Sequence, residues 1–253
     1  MNNRATAGAL PLFDGIDLEL AKPKPVDDDA LRSRGFGIGA AMAGGGPAEN
    51  RSDDDFYATP IEVIVALIRW LAAEGIPIGP RVWEPACGED DIARPLRALG
   101  HDVVSTDLVY RGYGQGGIDF LHQDIGQQVD SIITNPPFDL AIEFALRALN
   151  LGPNLVAMML KGAYWHSAKR HPIFSQTRPY AVLPLTWRPD FKGLGRPTME
   201  VAWTVWLRGN TSRAIYDPLP RPRDLLRPKR HKSKSIGAGG AARPRATGAI
   251  DHA

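Results

Sequence analysis

The hydrophobic pattern divides the chain into a patterned middle and two unpatterned ends. Ile61, Ile64, Val65, Ile68 and Leu71 share one face at helical spacing, and Gly75 and Pro77 stop that helix. Just before it, Thr59 and Glu62 are spaced as a capping box, with Pro60 at the first helical position. Short apolar runs then read as strands: residues 81–84, 102–106, 131–134, 154–160, 180–185 and 201–207, the last with Val201, Trp203 and Val205 on one face. The first runs into Pro85, and a helix takes over near Ile92. The run Ser131-Ile132-Ile133-Thr134 must stop at Asn135, because Pro136 and Pro137 lack the N–H that a ladder requires. Beyond it Asp139 reads as an N-cap, and Ile142, Ala145, Leu146 and Leu149 as a helix face ending at Gly152-Pro153. Strands alternating with helices predict an α/β domain with a parallel sheet.

The ends lack such periodicity. Residues 1–52 hold Pro23, Pro25, Pro47, the acidic run Asp27-Asp28-Asp29 and a glycine-rich segment over 35–46, and read as a flexible arm. A phosphate-binding reading of Gly35-Phe36-Gly37-Ile38-Gly39 lacks both a preceding strand and a following Gly-Lys-Ser/Thr. From residue 210 the pattern decays into prolines and a run with Arg221, Arg223, Arg227, Lys229, Arg230, Lys232 and Lys234 against Asp224, which reads as a basic tail over 210–253. The folded part is therefore expected over 53–209. With 253 residues and 43% hydrophobic content, one α/β core plus tails is the expectation. The sequence has neither a run of about 18 apolar residues nor a basic-then-apolar N-terminus, so a cytoplasmic protein with no membrane span is expected. Its single cysteine, Cys87, excludes an internal disulfide and a cysteine-based zinc cluster. A net charge of +2 means that any contact with nucleic acid depends on local clusters of cations.

Ligands of open α/β sheets sit at the carboxyl ends of the strands, which is where Asn135-Pro136-Pro137-Phe138 falls. Such a corner offers an amide, fixed carbonyls and an aromatic ring. Acceptors on both N–H bonds of an exocyclic amino group, here the Asn135 side-chain oxygen and the Pro136 carbonyl, would draw its nitrogen toward tetrahedral geometry. They would also stabilise the positive charge that grows there during methyl transfer. Phe138 would stack on a base extruded from its duplex. On these residues alone, a proline-terminated strand with a core phenylalanine fits equally well.

The tetrapeptide resembles the Asn/Asp-Pro-Pro-Tyr/Phe signature of amino-methyltransferases that use S-adenosylmethionine. Glu84-Pro85-Ala86-Cys87-Gly88 after a strand is similar to the cofactor loop of class I enzymes of that kind. Asp107 follows the second strand at the spacing where ribose hydroxyls are accepted. In order, these motifs, Asp107-Leu108-Val109-Tyr110-Arg111-Gly112-Tyr113-Gly114 and Arg196-Pro197-Thr198-Met199-Glu200 resemble the small N6-adenine methyltransferase-like proteins of phages and prophages. The resemblance implies a Rossmann-like class I methyltransferase: a mostly parallel seven-stranded sheet with helices on both faces. It implies S-adenosylmethionine as cofactor, held by Tyr57, Thr59, Pro60, Glu84, Pro85, Ala86, Gly88, Asp107 and Leu108, with Asp119 and Phe120 on the adenine, and Asn135, Pro136, Pro137 and Phe138 as the catalytic corner. No metal is called for. Asp90 stands where those families usually have a second glycine, and is expected to add a carboxylate near the bound methionine.

Two loops interleave cations with aromatic rings, as phosphate contact and base stacking require. From them Trp165, Lys169, Arg170, Arg188, Lys192 and Arg196 are candidates for contact with DNA; solvated loops with aromatics tucked onto the sheet are the alternative. The expected activity is methyl transfer to N6 of adenine in duplex DNA with a flipped base, in a bacterial or phage-infected cytoplasm. N4 of cytosine, RNA, protein glutamine, and an inactive nucleic-acid-binding relative remain open.

Overall fold

The computed structural model describes residues 58–225 apart from 167, 169, 170, 192, 194 and 196. The expected arm, the distal tail, Tyr57, Lys169, Arg170, Lys192 and Arg196 lie outside the described residues. The strands are β1 (Arg81–Glu84), β2 (Asp102–Ser105), β3 (Ser131–Thr134), β4 (Leu155–Lys161), β5 (Ala181–Pro184), β6 (Val201–Leu207) and β7 (Ile215–Tyr216). The helices are α1 (Ile61–Ala73), α2 (Ala93–Ala98), α3 (Ala141–Leu151) and α4 (His171–Gln176).

One seven-stranded sheet has the order β2-β1-β3-β4-β6-β5-β7. Neighbours pair in parallel except where β6 meets β4 and β5, so β6 alone runs against the rest. Because successive side chains in a strand face opposite ways, β4 feeds both sides of the sheet. Leu155, Ala157 and Met159 join the layer under α1 and α2, and Val156, Met158 and Leu160 join the layer under α3. Burial on both faces explains why β4 and β6 read as continuous apolar runs.

Three local expectations change. The Thr59–Glu62 capping box does not form: α1 starts at Ile61 without a side-chain cap, Thr59 turns to Asn135 and Glu62 accepts from Arg221 at 2.9 Å. Asp139 is not the N-cap of α3, because Phe138–Leu140 first form a turn of 3₁₀ helix that leads into Ala141. The buried face of α3 is Ala141, Phe144, Ala145 and Ala148, with Ile142 and Leu149 of the expected stripe packed at its margin.

The expected tail begins instead as part of the fold. Its residues Ile215–Tyr216 make β7, the seventh strand, beside β5. Leu219, 2% exposed, packs into the core, Asp217 accepts from the Trp70 indole at 2.9 Å, and Asp224 takes both Arg69 nitrogens at 2.8 and 2.5 Å. This strap reaches α1 at Glu62, Arg69 and Trp70; α1 also buries Val63, Ala66 and Leu67 beyond the expected stripe.

Candidate active site

After β1 the chain crosses to β2 on one side of it, and β3 then returns on the other, so the sheet order reverses between β1 and β3. That is the switch point at which α/β sheets open a crevice for ligands. Val82 and Trp83 stand beside Ser131 and Ile132 in parallel register, so Glu84 and Asn135 leave the sheet at the same edge. Three segments meet there: the N-terminus of α1, the loop after β1, and the Asn-Pro-Pro-Phe corner.

Thr59 joins them. It is 6% exposed; its hydroxyl accepts a hydrogen bond from Asn135 Nδ2 at 3.2 Å, and its backbone N–H donates to Asp91 in the loop. Burial raises Asp91 to about 6, against the pull of Arg94, which donates to it at 2.9 Å. With Nδ2 directed to Thr59, Oδ1 is the end of the amide turned the other way. Pro136 is buried and Pro137 half-buried, so the corner is stiff both by ring closure and by packing.

The Glu84–Gly88 loop passes directly under the end of β2. Gly88, at φ 54, donates its N–H to Asp107 Oδ2 at 2.9 Å, and Val109 donates to Oδ1 at 2.9 Å. Each Asp107 oxygen retains a lone pair for a further donor. The next loop closes tightly on this one: a Cβ at Gly114 would sit 2.6 Å from the Ser105 carbonyl and 2.8 Å from Cys87 Sγ. Glu84 is 1% exposed. Burial first, and the Asp90 carboxylate second, hold it well above the usual carboxylate range. Its Oε2 is buried with no hydrogen-bond partner among the described residues. A buried unpartnered carboxylate oxygen is costly unless a cation or donor reaches it.

Asp90 departs from expectation. Its φ of 69 is the left-handed conformation that glycine usually supplies, yet the side chain is 1% exposed. It is turned into the layer between α2 and β2, where it pairs with Arg97 and accepts from Ser105 Oγ at 3.0 Å. Arg97 also donates to Ser105 Oγ at 2.7 Å. Its charge is paired inside the protein, yet it still bears on the site as the second cause that raises Glu84.

Phe120 also differs. Its ring is 2% exposed, edge-on to Trp83 at 5.0 Å and tilted on Phe144 at 4.8 Å, so it is a core residue without a free face for an adenine. Neighbouring Asp119 is partly exposed, and accepts from the Leu121 N–H at 3.0 Å and bonds His122 Nδ1 at 3.0 Å. Phe138 is 8% exposed, and Lys161 Nζ lies 4.4 Å from its ring centroid. A base stacking on that face must displace the ammonium, a cation–π contact worth ~0.5–2 kcal/mol.

Past Lys161, a groove of about 1140 Å³ opens along the same edge and runs down β5 to Tyr216. Trp165 and Arg188 line it, as does Trp187, which was not among the expected contacts. Arg188 is paired with Glu200 at 2.5 Å. Asp91 and Arg97 carry no local signal in the sequence, whereas Lys161 opens the first of the two basic, aromatic-bearing loops.

The fold is that of the Rossmann-like class I methyltransferases. No protein-family model matches the chain, and no curated protein matches it. Among solved structures, it is similar to a proposed RNA methyltransferase from Pyrococcus horikoshii, with a TM-score of 0.51 and 16% identity over 63% of this chain and 91% of that one. A proposed class I S-adenosylmethionine-dependent methyltransferase from Listeria monocytogenes aligns at a TM-score of 0.47 and 12% identity over 68% of each chain. A dimethyladenosine transferase from Plasmodium falciparum aligns at 0.45 and 12%, over 60% of this chain and 63% of that one.

Proposed function

We propose that the protein is an S-adenosylmethionine-dependent methyltransferase acting on an exocyclic amino group in DNA, N6 of adenine being the first candidate. The observation that carries this reading is the meeting of Asn135 with Thr59 at 3.2 Å, at the switch-point edge where the Glu84 loop also emerges. The residues present suit the cofactor. The unpartnered Glu84 Oε2 matches an ammonium, the Asp107 oxygens match ribose hydroxyls, and the start of α1 at Thr59-Pro60 suits a carboxylate. Pro85, Ala86, Gly88 and Leu108 supply the close backbone walls of the same cleft, and Asp119 remains the candidate for the adenine amino group.

When bound, S-adenosylmethionine supplies an electrophilic methyl group on a positively charged sulfur. The chain's own residues prepare the nucleophile. Asn135 Oδ1 and the Pro136 carbonyl would accept the two N–H bonds of the target amino group, freeing its lone pair and stabilising positive charge as the N–C bond forms and the methyl–sulfur bond breaks, after which the nitrogen gives up a proton. Phe138 holds the base plane once Lys161 withdraws.

Transfer of tritium from labelled cofactor to DNA, RNA and protein, assayed side by side, tests the proposal. Label in DNA with N6-methyladenine on hydrolysis is expected, and label in protein alone would exclude it. RNA is the second substrate class, because the Pyrococcus horikoshii protein is described as acting on RNA.

A further inference from the structure

The groove beside the catalytic corner has properties that a site for duplex DNA would not need. At about 1140 Å³ it is of the order of small-molecule sites, roughly 300–1,000 Å³, and so admits one or two nucleotides but no double helix. Its walls come from opposite layers of the core: Trp165 packs with the α3 side and Trp187 with the α1 side, and Tyr216, 70% exposed, stands at the far end on the edge strand. The Trp187 Nε1 donor is buried and meets no acceptor among the described residues. Flat rings together with an unused N–H call for a planar ligand that carries hydrogen-bond acceptors. The groove also begins at Gly162, the residue after the lysine that covers Phe138. The mouth of the groove thus lies one residue along the chain from the lysine that a base must displace to reach Phe138.

Resting on the methyltransferase reading above, we propose that this groove binds an unpaired DNA nucleotide flanking the target base, so that the enzyme works on single-stranded or locally opened DNA rather than on an intact duplex with one flipped base. The flanking base stacks on the tryptophan rings, and one of its ring nitrogens or carbonyl oxygens accepts the Trp187 N–H. Stacking of this kind tolerates any base, because each has a π face. The groove thus governs strandedness and leaves sequence preference elsewhere.

Fluorescence anisotropy of one short labelled deoxyoligonucleotide tests this with the full chain, comparing the single strand, its annealed duplex and the RNA of the same sequence. The single DNA strand is expected to bind about ten-fold more tightly than the duplex, and Trp187→Leu to weaken the single strand by roughly five- to hundred-fold while leaving the duplex unchanged. Tyr216→Ala, at an exposed position where folding is not at stake, should weaken the single strand in the same direction. Equal affinity for strand and duplex, loss of both together in the two variants, or tighter binding of RNA than of DNA would overturn the proposal. Tritium transfer to native against heat-denatured genomic DNA then separates the two claims. Label in neither removes methylation of DNA and leaves the binding result standing, whereas equal label in both removes the strandedness claim alone.

Discussion

Replacing Asp90 by glycine separates a backbone role from an electrostatic one. At φ 69 a side chain is strained, and glycine relieves up to about 1 kcal/mol, since aspartate tolerates this region better than most residues. Against that stands the loss of the ion pair with Arg97 and of the bond from Ser105 Oγ at 3.0 Å. Removing one partner of a buried pair costs about 3–5 kcal/mol. Arg97 keeps 27% exposure and its bond to Ser105 at 2.7 Å, which puts this case at the low end. The net expectation is a loss of about 2 kcal/mol, which lowers Tm by about 4–8 °C for a chain of this size. Arg97→Met should cost more, about 3–5 kcal/mol, because it strands a carboxylate that is 1% exposed. Thermal unfolding measures both variants, and calorimetric titration with S-adenosylmethionine measures the consequence for the site. The carboxylate lies within the α2–β2 layer but also raises Glu84, so its loss should leave cofactor affinity unchanged or modestly increased. An unchanged or raised Tm with a change of about ten-fold or more in affinity would refute the reasoning, because it would mean that Asp90 faces the ligand.

Asn135→Ala should abolish methyl transfer while cofactor binding measured by calorimetry persists; transfer at the unmodified rate would dismiss the catalytic corner. Thr59→Val removes the acceptor that orients the Asn135 amide and should lower kcat by about five- to ten-fold, with Thr59→Ser restoring it; equal rates in the two variants would remove that role. Asp91 binds a proton more readily folded than unfolded, so its contribution to stability is full below the ordinary aspartate range and is lost as pH rises through about 6. At ~1.4 kcal/mol per pH unit this is roughly 3 kcal/mol, and Asp91→Asn should flatten denaturation midpoints between about pH 4 and 6. Because burial shifts Glu84 toward its protonated form, capture of a cofactor ammonium should favour its ionised form, and affinity should rise with pH. Glu84→Gln should bind with little pH dependence, and an unaltered profile in that variant would place the proton elsewhere.

The elements that positioned the site were legible because their signals are local. Pro85, Pro136 and Pro137 end strands through a missing donor, whatever the tertiary context, so Glu84 and Asn135 were placed at strand ends from sequence. What escaped notice depends on partners distant in the chain. Thr59 and Glu62 have capping-box spacing, but their side chains are claimed by Asn135 and Arg221, and a tertiary hydrogen bond displaces a local cap of similar strength. Phe120 follows an aspartate as a ligand residue would, and only the packing of Trp83 and Phe144 reveals it as core. β7 is two residues long in a proline-rich stretch, too short to show a period of two.

Asp90 shows why a motif departure is best weighed together with its surroundings. A glycine position in a ligand loop imposes two separable demands, a left-handed backbone and room for the ligand. Aspartate meets the first at modest cost. It meets the second only if its side chain has somewhere else to go, and here Arg97 one helix away and Ser105 at the end of β2 provide that place. Neither residue belongs to the motif, and each alone is unremarkable in sequence. Together they turn a substitution that would crowd the cleft into a strut between α2 and β2, which fixes the loop carrying Glu84 and Gly88. The loop is held for that reason: one buried ion pair takes up the Asp90 charge and ties down the backbone that carries Glu84 and Gly88.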